Sequence, residues 1–253
     1  MIVSGTDRGA ARHDCFGHWL WCGETELFRA LTKFRAHADA EKIILYYLFS
    51  ILSYLCLASP VPFMGIGELY FITFGVNMKL FIASDLHGSA EFTELMLERF
   101  RQSGADRLVL LGDILYHGPR NDLPAGYAPK KVAPLLNEIA DRIICVRGNC
   151  EAEVDSLMLD FPPQSDYGVI FDGERCLYLS HGHREVPKMP AGSLYFTGHT
   201  HIPHDFVNEN GVRCLNPGSV SIPKNGTPHS AIVYENGEIH WMNLESGEFY
   251  GVL

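Results

Sequence analysis

Five short apolar runs in this chain each stop at a glycine beside an acidic, amide or imidazole side chain, and that recurrence limits the folds open to it. Lys79–Ser84 (KLFIAS) ends in Asp85-Leu86-His87-Gly88, and Arg107–Leu111 (RLVLL) ends in Gly112-Asp113. Arg142–Val146 (RIICV) ends in Arg147-Gly148-Asn149-Cys150. Leu177–Ser180 runs into His181-Gly182-His183, and Leu194–Thr197 into Gly198-His199-Thr200-His201. Four to eight apolar residues closed by a turn former read as a buried strand. Asp85 and His87, two apart, would leave an extended chain on one face. In an open α/β sheet functional groups gather at the carboxyl edge of the strands, so these five ends can converge on one crevice. Glycine beside each allows the tight turns such a rim needs. Singly, each residue has an ordinary reading: a capping Asp, a core His, a turn-forming Asn. Recurrence at five strand ends is poorly explained that way.

The segments between the runs fix the layering. Ser89–Ser103 reads as a helix with Phe92, Leu95, Met96, Leu97 and Phe100 on its apolar side and Gly104 as its stop. Lys130–Ala140 reads as a second helix. Strand, helix, strand, helix, strand implies parallel pairing with right-handed crossovers. The second half differs: Gly168–Phe171, Cys176–Ser180, Leu194–Thr197, Val212–Leu215, Ala231–Tyr234 and Ile239–Asn243 are short strands joined by Gly, Asn and Pro turns. Glu235-Asn236-Gly237-Glu238 is a hairpin turn signal. The expected shape is a layered sandwich, one sheet partly parallel and the other mostly antiparallel, with helices outside.

All of this begins at Met78. The division read from the sequence is 1–77, a hydrophobic extension, and 78–253, the functional domain. Residues 43–67 carry no charge, but Pro60 and Pro62 interrupt the run just short of a membrane span. Met78 as the true initiator is favoured over a membrane anchor, and a buried helix comes third. A cytoplasmic location follows, with membrane attachment only if 43–67 is a real span. Seven cysteines without a CxxC pair read as reduced thiols. Cys15, His18, Cys22 and His37 match no tetrahedral site. A formal charge of −10 argues against a grip on nucleic acid.

The strand ends supply two Asp, one Asn and four His, with no thiolate among them. That is too many ligands for one tetrahedral zinc and about right for two ions sharing a carboxylate. The pattern D-x-H, G-D-x-x-x-x-G, G-N-x, H-G-H, G-H-T-H resembles the calcineurin-like metallophosphoesterases. His117-Gly118-Pro119-Arg120-Asn121, Cys150 after Asn149, and Asn216–Lys224 (NPGSVSIPK) look most like their small bacterial YfcE-type phosphodiesterase branch. The resemblance runs from Met78 to the carboxyl end.

It implies a four-layer α/β/β/α sandwich with two mixed sheets. It also implies a dinuclear phosphodiesterase that attacks small phosphodiesters with a metal-bridging hydroxide. Asp85, His87 and His201 would hold one ion, and Asn149, His181 and His199 the other, with Asp113 bridging. Asp113, Asn149 and His199 would stand closest to the chemistry, and Asn121, Cys150 and His183 on the substrate side. The metal would be manganese, with iron, zinc or nickel as the other candidates. Many relatives place His where Cys150 stands; a thiol is a poorer acid there, which implies a preference for good leaving groups. The competing reading from another class is a catalytically silent metal-binding scaffold or interaction subunit; a mononuclear hydrolase is a third. Homo-oligomers are common among such domains, and nothing in the sequence specifies one.

Overall fold

The structure, a computed structural model, describes residues 69–73, 78–161, 163, 165–173 and 175–252. The apolar stretch 43–67 lies outside them. Among the described residues no helix is long and apolar enough to cross a membrane.

Two six-stranded sheets carry the fold. The first holds β2 (Lys79–Ala83), β3 (Arg107–Leu110) and β4 (Ile143–Cys145) in parallel, continued by antiparallel β10 (Ser230–Glu235), β11 (Glu238–Asn243) and β12 (Phe249–Tyr250). The second runs β1 (Leu69–Thr73), β5 (Tyr167–Asp172), β6 (Arg175–Ser180), β7 (Leu194–Phe196), β9 (Arg213–Asn216) and β8 (His204–Val207). Both sheets are mixed. The expectation of a mostly antiparallel second sheet is corrected, because β1/β5, β6/β7 and β7/β9 are parallel pairs. The stretch set apart as an extension contributes β1, paired in parallel with β5 from Leu69↔Tyr167 to Thr73↔Phe171, so this sheet takes in residues upstream of Met78.

Alternation along the strands divides the apolar residues between two cores. Leu80, Ile82, Val109, Leu111, Ile232 and Tyr234 face Ile170, Leu177, Leu179, Phe196 and Leu215 between the sheets. Phe81, Ala83, Leu108 and Leu110 point the other way, against α1 (Ala90–Ser103) and α2 (Pro129–Asn137). Ser89 caps α1, accepting from the Phe92 N–H at 3.2 Å, and Gly104 at φ 68° ends it. Helix α2 begins at Pro129, whose fixed φ suits a first helical position. It stops at Asn137, earlier than its apolar pattern predicts, and a 3-10 turn, Ala140–Arg142, leads into β4. The described helices form one layer, on the first sheet.

Candidate metal centre

The five strand ends meet at the carboxyl edge of both sheets. The loop after β2 zips to the loop after β3: Asp85 N–H donates to Gly112 O at 3.1 Å, His87 N–H to Asp113 O at 2.9 Å and Gly88 N–H to Ile114 O at 2.8 Å. Parallel pairing thus continues past the strands through residues in left-handed backbone. Asp85 (φ 59°), His87 (45°), Asp113 (55°), His199 (68°) and His201 (60°) all have positive φ, a conformation that L-residues rarely adopt. Asp and His are among the side chains that tolerate it best. Five of the seven expected ligands therefore sit in strained backbone, a concentration associated with functional sites.

The side chains converge. Asp85, His87, Asp113, His181 and His201 are 0–3% exposed. His87 Nδ1 donates to Tyr116 O at 2.9 Å, His181 Nδ1 to Leu111 O at 2.7 Å and His201 Nδ1 to Ile222 O at 2.8 Å. A carbonyl can only accept, so each Nδ1 carries a proton and each Nε2 is turned inward, where it could serve as a ligand atom. His87 Nε2 and His201 Nε2 lie 3.1 Å apart, a separation that two lone pairs tolerate only with a proton or cation between them. Asp85 Oδ2 accepts the His199 N–H at 3.0 Å, while its Oδ1, buried and without a hydrogen bond, stands 3.2 Å from His201 Nε2 and 3.5 Å from His87 Nε2. Asp113 Oδ1 accepts from Cys150 N–H at 2.8 Å. Its Oδ2 is 3.7 Å from His87 Nε2 and 3.3 Å from His181 Nε2, between the two groups. Among the described residues three sets suited to a cation emerge, Asp85/His87/His201, Asp85/Asp113/His181 and His87/Asp113/Cys150. The orphaned carboxylate oxygen and facing imidazole nitrogens fit divalent ions of the nitrogen-and-oxygen-loving kind.

Asn149 is exposed at the mouth, its Oδ1 3.1 Å from His181 Nε2 and its Nδ2 donating to Cys150 Sγ at 3.2 Å. His199 is half-buried, its ring edge-on to His181 at 5.1 Å and tilted to His183 at 6.2 Å. His183 stacks edge-on against His181 at 5.4 Å, with a buried, unbonded Nδ1. Asn121 and Cys150 line the cavity over the centre. Burial pulls the His199 and His183 imidazoles down, and the nearby His181 adds to this. Burial pushes the Cys150 thiol well up, with Asp113 contributing, so it stays protonated. For Asp85 burial pushes up, but His181, His201 and His87 outweigh it and hold the carboxyl well below the usual range.

Two structural supports escaped the sequence reading. Glu151, buried, accepts the Ile114 N–H at 2.7 Å and also the Gly148 N–H, stapling the Asp113 loop to the Asn149 loop. The Asn216–Ser221 stretch is a buckle. Asn216 Nδ2 donates to Gly198 O at 2.7 Å, while Ser219 Oγ (2.9 Å) and Ser221 Oγ (3.2 Å) donate to Asp85 O. The hydroxyls two apart in Ser219-Val220-Ser221 were the available signal.

Burial lowers His181, but Asp113 and Asp85 outweigh it and raise its pKa to about 9. At neutral pH the metal-free site therefore holds a proton on His181 that an entering cation must expel. Raising the pH from 7 to 9 removes that competitor, so apparent affinity should rise by about tenfold per unit and level off above 9. Calorimetric titration of the metal-free chain with Zn²⁺, in buffers of different ionisation enthalpy, checks both the slope and the release of about one proton. A flat profile would remove the His181 account.

A family profile described as "Calcineurin-like phosphoesterase superfamily domain" matches residues 78–238. The chain is 48% identical over 164 residues to "Phosphodiesterase YfcE" of Escherichia coli strain K12, covering 63% of this chain and 88% of that protein. The protein of the same name from Escherichia coli O157:H7 gives the same figures. Among solved structures, the YfcE phosphoesterase from E. coli matches with a TM-score of 0.66 at 44% identity, over 69% of this chain and 97% of that one.

Proposed function

Because the chain belongs to the calcineurin-like phosphoesterase superfamily and is a metal-dependent phosphoesterase, we propose that it hydrolyses small phosphodiesters with two divalent ions in this cluster. The relative named a phosphodiesterase, 48% identical, supports the choice of diester over monoester. The observation that carries the dinuclear reading is Asp113 Oδ2, held 3.7 Å from His87 Nε2 and 3.3 Å from His181 Nε2, where one carboxylate oxygen serves both groups. Asp85, His87 and His201 would hold one ion and Asn149, His181 and His199 the other. Manganese is the leading candidate, with iron, zinc or nickel also suited to this donor set. When bound, the ions supply an acidified water and a positive field for the phosphoryl oxygens.

The chain's own groups do the rest. The carbonyls of Tyr116, Leu111 and Ile222 hold three imidazoles in the tautomer that presents Nε2. The Cys150 thiol, buried and reluctant to ionise, excludes water beside Asp113 without competing as a base. It leaves the departing oxygen without a strong acid, which favours esters whose leaving group needs none. Residues 78–253 are taken as the unit that carries this chemistry.

The test uses the full chain, stripped and reloaded with each of Mn, Fe, Zn and Ni. Hydrolysis of bis(4-nitrophenyl) phosphate is compared with that of 4-nitrophenyl phosphate, beside a metal count by elemental analysis. The expected result is two ions per chain and a kcat/KM for the diester at least about tenfold above the monoester. Full activity with one ion removes the dinuclear reading, and two bound ions with no turnover would favour the silent scaffold.

A further inference from the structure

The cavity above the centre, about 400 Å³, is lined by Asn149, Cys150 and His199 on one side and by Arg120 and Lys224 on its rim. Both cations are exposed. Neither side chain has an ion pair or hydrogen bond among the described residues, although the chain carries a formal charge of −10. Acidic partners are plentiful, so two unpaired cations on the rim of one cavity invite an anion from outside.

Both positions are tied to the centre. The Lys224 N–H donates to His201 O at 3.2 Å, and Thr227 Oγ1 donates to Lys224 O at 2.7 Å. Beside Arg120, Asn121 Nδ2 donates to His117 O at 2.8 Å. The turn at Gly118 (φ 77°) lies so close that an added Cβ would stand 3.0 Å from Cys150 Sγ. The backbones bearing these cations are therefore fixed relative to the ligands, while the side chains keep reach into the cavity.

A simple phosphodiester carries one negative charge, and two divalent ions more than match it. Two further cations exceed what the reacting group needs. We propose that Arg120 and Lys224 bind a second anionic group on the substrate, so that the preferred substrates are phosphodiesters with one ester arm bearing a phosphate. Arginine's planar fork suits such an oxyanion, and Lys224 adds a point charge. The proposal rests on the phosphodiesterase reading above.

The experiment uses three 4-nitrophenyl phosphodiesters that differ only in the second arm: 3-phosphonooxypropyl, 3-carboxypropyl and 3-hydroxypropyl. In each, the oxygen of water bonds to phosphorus and its released proton passes to solvent, the bond from phosphorus to the aryl oxygen breaks, and 4-nitrophenolate leaves with that electron pair. With the manganese-loaded full chain, kcat/KM for the phosphate arm should exceed that for the hydroxyl arm about tenfold, mainly through KM, with the carboxylate between. The ratio should fall towards one in the double variant Arg120→Met, Lys224→Met, and should shrink as salt rises. Equal rates for charged and neutral arms in the unaltered chain, or a preference that survives the double variant, overturns the proposal and leaves the phosphodiesterase reading intact. No turnover of any arm removes that reading and this one with it.

Discussion

Replacing Asp113 by asparagine is expected to lower metal-dependent diester turnover on the order of a thousandfold and to take the metal content from two ions per chain towards one. Loss of a group that merely orients a ligand already costs about ten- to a hundredfold, and in the proposed dinuclear centre Asp113 would serve both ions directly. Its Oδ2 faces His87 and His181, and an ionised carboxylate offers a full negative charge to two cations where the amide oxygen of asparagine offers only a dipole. The fold should survive. Asparagine keeps an oxygen to accept the Cys150 N–H, and its amide nitrogen can donate to His181 Nε2 once that imidazole is neutral. Near-ultraviolet circular dichroism of the metal-free variant checks this, beside kcat/KM and the metal count. Retained turnover at two ions per chain would show that Asp113 does not bridge.

The second large effect comes from a single methyl group. In Gly198→Ala the added Cβ would overlap Ser84 Oγ and stand 2.9 Å from both Ser84 Cβ and Asp85 Oδ2. Ser84 Oγ, which has no hydrogen bond, can rotate aside, but Ser84 Cβ and Asp85 Oδ2 have nowhere to go: both residues are fully buried, and Asp85 Oδ2 holds the His199 N–H. The variant should lose about 3 kcal/mol of unfolding stability, the upper end for overpacking a tight site. It should also lose most of its metal, because the first and fifth strand-end loops are wedged apart. Urea unfolding of the metal-free chain separates the two losses. Gly251→Ala is the control, since a Cβ there meets nothing within 4 Å. Gly198→Ala with unchanged stability and metal content would mean that these loops are not locked together.

Local pattern was enough to single out the candidate ligands because each closes an apolar run, and a strand end is a local signal. Asp85, His87, Asp113, His181 and His201 come together as those runs imply, with Asn149 and His199 on the more open side of the same cluster. The supports were harder to see. Glu151 looks like one acid among several in Cys150-Glu151-Ala152-Glu153, and only its burial against Ile114 and Gly148 distinguishes it. Asn216, Ser219 and Ser221 read as turn residues, because the carbonyls they bind belong to loops far away in sequence. Strand β8 was missed since Phe206 and Val207 are exposed, so its pattern carries no buried face. The direction of pairing in the second sheet depends on how crossovers run between distant strands, which short apolar runs do not encode.

The left-handed ligand positions have an evolutionary corollary. Each of Asp85, His87, Asp113, His199 and His201 holds a backbone shape that glycine would adopt with less strain, by about 1 kcal/mol per site. Five such sites together cost about 5 kcal/mol, a sizeable part of the 5–15 kcal/mol net stability of an ordinary domain. A lineage that abandoned the chemistry would find glycine an easy drift at every one of them, gaining robustness as it went. Asp or His standing at all five, at that cost, is what the proposed ion binding would account for.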